Sequence, residues 1–408
     1  MSVALPGDGG LLRLIDESRI LVCAGSGGVG KTTTAASLAL WGALRGRRAI
    51  VLTIDPARRL ADSLGVGPIG NEPCAVPAEL LGADTTGSLA AMMLDQQGSW
   101  DDLIARHAPS EAVREQILAN PFYQQLAESF AGSQEYMAVE QLGALEASGE
   151  YDLIVVDTPP TQHALDFLDA PDRLLAFLDK DIVRWFLPGV STGWSAFQSM
   201  NRSVRFVLDK IEEATGVGVL SQVSDFFSNM GELFDGFEER VARVTALLRA
   251  EDTAFVLVAG PDEQVLGQAE YLHKAMAEKE MPLRGVVMNR VHEMPRVMAS
   301  VAAGEAASAA TTAGNEPEPG EPAEAFWSDW AAAADALSGE RRAGFDNLRA
   351  NRAGWAARAR GDALRIELFR TLLPADVPVV CIPELVEDIH DIAALGSLHA
   401  FFSGENSR

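Results

Sequence analysis

Gly25-Ser26-Gly27-Gly28-Val29-Gly30-Lys31-Thr32-Thr33 is the stretch that decides how this chain folds. The run Arg19-Ile20-Leu21-Val22-Cys23-Ala24 before it reads as a strand, and residues 32–44 after it read as a helix. Glycine lets the backbone turn sharply and approach an anion closely. The loop amides and the positive end of the helix dipole then face that anion. The pattern predicts that Gly27, Gly28, Val29, Gly30, Lys31, Thr32 and Thr33 cradle the phosphates of a nucleoside triphosphate. Lys31 is placed to reach the β- and γ-phosphates, and the Thr32 hydroxyl to ligate Mg²⁺.

Further strands are predicted from short apolar runs at 20–23, 49–54, 153–156, 255–258, 285–288 and 377–382, separated by helical patterns. That alternation predicts an α/β fold with a doubly wound, mainly parallel sheet, and a nucleotide at the carboxyl ends of its strands. Two stretches read as helical insertions. In the first, residues 172–250, one face carries Phe226, Met230, Phe234, Phe237, Val241, Val244 and Leu248, and another Phe197, Met200, Val204, Leu208 and Ile211. The second, residues 326–373, carries Trp327, Trp330, Phe345, Leu348 and Trp355. It also has a cluster of arginines at 341, 342, 349, 352, 358, 360 and 365. Between them, residues 302–325 are rich in Ala, Gly, Glu and Pro and are expected to be disordered.

Composition narrows the function classes. Acidic residues outnumber basic ones by 58 to 33, for a formal net charge of −25. A field of that sign disfavours nucleic acid and anionic membrane surfaces as partners. The 48% hydrophobic content of the 408 residues is enough for a large core. The three cysteines are far apart and form no CxxC, with Cys23 expected in the first strand, Cys381 in the last and Cys74 in a loop. Disulfides and a shared thiolate site are therefore not expected, which suits a reducing, cytoplasmic setting. Neither a signal peptide nor an integral membrane segment is read from the chain.

Two aspartates fall at strand ends. Asp55 follows Val51-Leu52-Thr53-Ile54, and Asp157 follows Leu153-Ile154-Val155-Val156. A carboxylate there, near the phosphates, can hold Mg²⁺ or orient the attacking water; the plain alternative is a cap or turn. With the loop, Asp55-Pro56-Ala57-Arg58-Arg59-Leu60 and Asp157-Thr158-Pro159-Pro160-Thr161-Gln162-His163 resemble the switch I and switch II motifs of the ArsA-type ATPases. That family includes arsenite-efflux ATPases and the ATPases that target tail-anchored membrane proteins. Val287-Met288-Asn289-Arg290 and Ile382-Pro383-Glu384-Leu385 resemble its later strands. The resemblance, to a bacterial anion-transporting type, implies a phosphate-loop fold of the deviant Walker A (SIMIBI) class binding ATP and Mg²⁺. It implies catalytic roles for Lys31, Asp55 and Asp157, with Thr32, Asp55 and Asp157 on the metal side. Asp55 would polarise the attacking water and Asp157 would move switch II. Asn289 would read adenine and Pro383 would pack on it; read without the family, Asn289 is a strand-end turn residue.

The resulting division is a core at 1–171 with the loop and both switches, a helical insertion at 172–250, and core strands with Asn289 at 251–301. The disordered loop at 302–325, the helical segment at 326–373, and a last strand with a C-terminal helix at 374–408 follow. Departures from the family pattern fall at Pro159, Gln162 and Ser26. The position of Ser26 usually holds a lysine that reaches the partner's phosphates across a dimer. A charge supplied in trans is worth about 10³–10⁵ in rate. Hydrolysis is therefore slow, or Arg58 or Arg59 substitutes, or another subunit supplies the lysine. Two readings result. One is a dimeric ATPase that couples nucleotide state to a partner or an apolar, membrane-protein client held by the helical insertion. The other is a low-activity nucleotide-binding subunit in a heterodimer with a lysine-bearing paralogue. The apolar face around Phe234 serves as client groove in the first reading and as core in the plainer one. A partitioning or septum-positioning ATPase is disfavoured by the acidic balance and by the C-terminus.

Overall fold

The computed structural model describes residues 10–54, 59–82, 85–94, 101–102, 104–106, 108–121, 123–124, 133–159, 226, 239–240, 242–293, 340–385 and 387–403. Asp55, Arg58, the remainder of switch II from Pro160 to His163, Phe234 and the stretch 302–325 lie outside them, and only the backbone of Arg59 is described.

The strands are β1 (Ile20–Gly25), β2 (Arg48–Thr53), β3 (Cys74–Ala75), β4 (Ser88–Met93), β5 (Leu153–Asp157), β6 (Thr253–Ala259), β7 (Leu283–Val291) and β8 (Val379–Pro383). They form one sheet in the order β3-β4-β2-β5-β1-β6-β7-β8. Its ladders are parallel except β3 on β4. The principal helices are α1 (Gly10–Glu17), α2 (Lys31–Leu44), α3 (Arg59–Leu64), α4 (Glu111–Leu118), α5 (Ser133–Ser148), α6 (Glu263–Glu278), α7 (Glu340–Arg370) and α8 (Ile392–Ser397). The chain is thus an α/β protein of the phosphate-loop type.

Every residue of β1 and β5 is buried, because helices cover both faces of the sheet. Alternate residues enter opposite layers. Ile20, Val22, Ile154 and Val156 join the side chains of α5 and α6 in one core, while Leu21, Cys23, Leu153 and Val155 join those of α1 and α2 in the other. This two-sided burial explains why the strands read as unbroken apolar runs.

All six predicted strands are present. β3 and β4 were not predicted. The sequence of β4, Ser-Leu-Ala-Ala-Met-Met, is made largely of helix formers, and pairing with β2 overrides their preference. Cys74, expected in a loop, lies in β3 at the sheet edge, where two residues pair with Ala90 and Ala91 of β4.

Of the apolar face in the first insertion, Phe226, Val244 and Leu248 are described, and all three are buried in the α5 and α6 layer. Phe226 stacks on Tyr123 with ring centroids 6.4 Å apart. Exposed apolar surface occurs instead on α7 and just beyond it, at Leu364, Leu368 and Leu372, spaced by four residues. No helix among the described residues is long and apolar enough to cross a membrane.

Truncating a large buried aromatic typically costs about 3–5 kcal/mol. Phe226→Ala is therefore expected to lower unfolding stability by about that amount in a urea titration. A loss under about 1 kcal/mol would show that this side chain is not part of the core.

Candidate functional site

β1 lies at the centre of the sheet, and the loop leaving it is bounded by β5 and β6. Gly25 closes β1 so near β6 that a Cβ there would sit 2.0 Å from the Val258 carbonyl oxygen. The loop then turns through Gly28 and Gly30 with φ of 76° and 93°, the left-handed region that favours glycine. Space around Gly28 is open, with nothing within 4 Å of where a Cβ would stand. α2 begins at Lys31, so its first amides end in the loop.

Lys31 is buried, and its Nζ donates to the Ser26 carbonyl at 2.8 Å. The Ser26 hydroxyl is also buried and has no hydrogen-bond partner among the described residues. Buried polar atoms normally find partners, so an unpaired hydroxyl beside the lysine of an open cradle fits a loop shaped for a phosphate oxygen.

Asp157 is the last residue of β5 and has no exposed surface. Its Oδ2 accepts from the Thr32 hydroxyl at 2.7 Å and from the Thr53 hydroxyl at 2.8 Å. The register creates this meeting, because Asp157 lies beside Thr53 of β2 on one side and Cys23 of β1 on the other. The Ile54 amide donates to the Asp157 carbonyl at 3.1 Å. Just beyond, the Thr158 hydroxyl donates to the Cys23 carbonyl at 2.8 Å, which fixes the start of switch II. Hydroxyl and carboxylate oxygens are hard donors suited to Mg²⁺, which draws its other ligands from water and phosphate. Among the described residues no three His, Cys, Asp or Glu side chains converge on a metal position. The structure brings Lys31, Thr32 and Asp157 together. It adds Thr53, which the sequence did not single out, since a threonine in a strand is ordinary.

On the other side of the loop, Asn289 lies within β7 rather than at its end. The ladder to β8 shifts between Met288 and Val291, and Arg290 there adopts φ 59°. Asn289 Nδ2 donates to the Val29 carbonyl at 2.8 Å, and its Oδ1 accepts from the Arg290 amide at 2.9 Å. Pro383 ends β8 and pairs with Val291, two positions further along.

A buried group next to these residues had no signal in the sequence. The Asp362 carboxylate of α7 accepts from the His292 amide at 2.9 Å, and His292 Nδ1 lies 2.7 Å from the same oxygen. Arg365 donates to the other Asp362 oxygen at 2.5 Å and, through Nε, to the Pro261 carbonyl at 2.6 Å. The Trp355 indole donates to the Glu293 carbonyl at 2.6 Å. Asp362 thus pins α7 to the end of β7, and Arg365 pins it to the segment after β6. Arg365 belongs to this anchor.

The cysteines occupy three separate strands. Four strand intervals separate Cys74 from Cys23, and three separate Cys23 from Cys381. At about 4.8 Å per interval those are roughly 19 and 14 Å. Burial, and then the nearby Asp157 charge, push the Cys23 thiol far above its ordinary value. Burial and Glu293 raise Cys381 to about 11. Both thiols are protonated at neutral pH, so neither is a ready thiolate ligand.

Residues 18–300 match the sequence pattern of the anion-transporting ATPase family. The chain is 28% identical to ATPase GET3 of Malassezia globosa over 284 residues, covering 69% of this chain and 76% of that protein. It is 26% identical to ATPase ASNA1 homolog 1 of Paramecium tetraurelia over 272 residues, covering 65% and 73%. Over a shorter 162 residues, 40% of this chain and 45% of the relative, it is 35% identical to ATPase get3 of Neurospora crassa. These relatives are eukaryotic rather than bacterial.

Removing the loop's ammonium leaves the phosphate charge without its nearest counter-charge. Lys31→Ala is expected to weaken ATP binding more than about tenfold, equivalent to over about 1.4 kcal/mol, in a calorimetric titration. Equal affinity of variant and wild type would rule out the phosphate-loop assignment.

Proposed function

The chain belongs to the anion-transporting ATPase family, and from that premise we propose that it is an Mg²⁺-dependent ATPase whose nucleotide state is coupled to a partner or apolar client. The observation that carries this reading is the junction of Thr32, Thr53 and Asp157 beside Lys31. It places a cation, a hydroxyl and a buried carboxylate around an open glycine cradle. Those are the parts that phosphoryl transfer needs for positioning and charge stabilisation.

In this reading Gly27, Gly28, Val29, Gly30, Thr32 and Thr33 offer their backbone amides to the phosphates. Lys31 turns from the Ser26 carbonyl to the β- and γ-phosphate oxygens. Thr32 and Asp157 hold Mg²⁺ with Asp55. Held there, Mg²⁺ would supply positive charge against the phosphate oxygens. Asp55 orients and polarises the attacking water. Asn289 and Pro383 border the base. Asp157 reports the state of the γ-phosphate to switch II, which leaves β5 directly through Thr158. The helical segments respond to that movement and bind the partner, with the functional unit a homodimer or heterodimer. The three free cysteines suit a reducing compartment such as the cytoplasm.

Ser26 favours a second reading, a slow subunit that works with a lysine-bearing paralogue. The loop carries a short, buried hydroxyl where a long cation would reach a partner's phosphates.

Two measurements test these readings. Asp55→Asn is expected to retain ATP binding and lose at least about 10² in kcat, the low end for a base or water-orienting group. An unchanged kcat removes Asp55 from the mechanism. Ser26→Lys is expected to raise the rate of phosphate release if the functional unit is a homodimer. Stimulation of wild type by a lysine-bearing paralogue, with no gain in the variant, would establish the heterodimer instead.

A further inference from the structure

We infer that Asn289 is a positioning residue for the phosphate loop: its side-chain amide holds the Val29 carbonyl and so sets the loop's shape before any nucleotide arrives. This rests on the reading of the loop as the nucleotide site, and it adds a task distinct from reading the base.

The contact spans the sheet. β7 is separated from β1 by β6, about 10 Å across the ladder. Asn289 lies where the β7 ladder is interrupted, and its side chain reaches the loop that leaves β1. The orientation of the amide is fixed at both ends. The Arg290 amide is a donor and requires Oδ1; the Val29 carbonyl is an acceptor and requires Nδ2. A flipped amide would face donor to donor and acceptor to acceptor.

The loop is fitted to this side chain. A Cβ on Gly30 would stand 2.3 Å from Asn289 Nδ2, so Asn289 occupies the space that any other residue at position 30 would need. Gly30 immediately precedes Lys31, and the Gly30 carbonyl accepts the Thr34 amide at 2.9 Å in the first turn of α2. Holding Val29 therefore fixes the peptide from which Lys31 and Thr32 project.

A tether positions its target only if its far end is rigid. Three residues beyond Asn289, the His292 amide is bound to the buried Asp362 carboxylate, which Arg365 also grips. β7 is thereby clamped to α7 on one side and to the loop on the other. An amide has two N–H groups and two acceptor lone pairs. The tether engages one N–H and the Arg290 contact one lone pair, so the same side chain retains capacity for a base.

The discriminating probe is a ligand with phosphates and no base. Binding of Mg²⁺-tripolyphosphate, Mg²⁺-ATP and Mg²⁺-GTP is measured by calorimetry for wild type, Asn289→Ala and Asn289→Asp. The Asp variant keeps the size and the Arg290 contact but turns a carboxylate oxygen toward the Val29 carbonyl. Positioning predicts that Asn289→Ala weakens all three ligands by a similar factor, roughly tenfold for one lost hydrogen bond. Asn289→Asp should weaken them at least as much. It also predicts faster hydrogen exchange in residues 25–34 of the ligand-free variants, with thermal midpoints close to wild type. If Asn289→Ala does not fold, Asn289→Asp carries the same comparison. Loss confined to ATP, with tripolyphosphate affinity and loop exchange unchanged in either variant, would overturn the inference and leave Asn289 a base reader. Failure of wild type to bind ATP or tripolyphosphate would instead overturn the nucleotide-site reading, and this inference with it.

Discussion

A carboxylate without exposed surface ties three elements together at the carboxyl end of the sheet. Burying Asp157 costs several kcal/mol unless its charge is met by donors, and two threonine hydroxyls meet it on one oxygen. Thr32 is in the first turn of α2, Thr53 ends β2, and Asp157 ends β5. Removing the carboxylate would remove the side-chain hydrogen bond that joins the first turn of α2 to the end of β5. That attachment holds the first turn of α2, in which Lys31 and Thr32 lie. Hydrogen bonds to a charged group contribute about 1.5–3 kcal/mol each, so the site and the stability of this corner share a cause.

The loop is held from opposite sides by different chemistry. On the β5 side the contacts are hydroxyl to carboxylate and close to where metal and γ-phosphate chemistry is proposed. On the β7 side they are amide contacts, through Asn289, at the edge assigned to the base. Beyond Asn289, the Asp362 cluster continues the connection to α7. The ends of β6, β7 and β8, the long helix and the phosphate loop therefore form one hydrogen-bonded border. A ligand that changes the loop therefore acts on elements already joined to it by hydrogen bonds.

Much of this was legible in the chain. The loop motif needs only local chemistry: glycine where φ is positive, lysine and threonine at fixed offsets, an apolar run before and a helix after. Two-sided burial makes parallel strands into apolar runs, so Leu153 to Val156 and Phe255 to Val258 announced themselves. β4 did not, because its alanines and methionines favour helix and become strand only by pairing with β2. Cys74 read as loop because a two-residue edge strand carries no periodicity. The face containing Phe226, Val244 and Leu248 was recognisable as a helical stripe, but periodicity cannot state what covers a stripe; those three are core.

The sequence by itself determined the fold class, the phosphate loop and the candidate residues Lys31, Thr32 and Asp157. Each belongs to a local pattern whose backbone and chemical demands are met within a few residues. Only the tertiary structure decided which side chains meet across the sheet. Thr53 reaches Asp157 from 104 positions away, Asn289 reaches Val29 from 260, and Asp362 reaches His292 from 70. Strand order and register fix those distances. They result from burying two apolar layers at once, a global condition that no short stretch of the chain records.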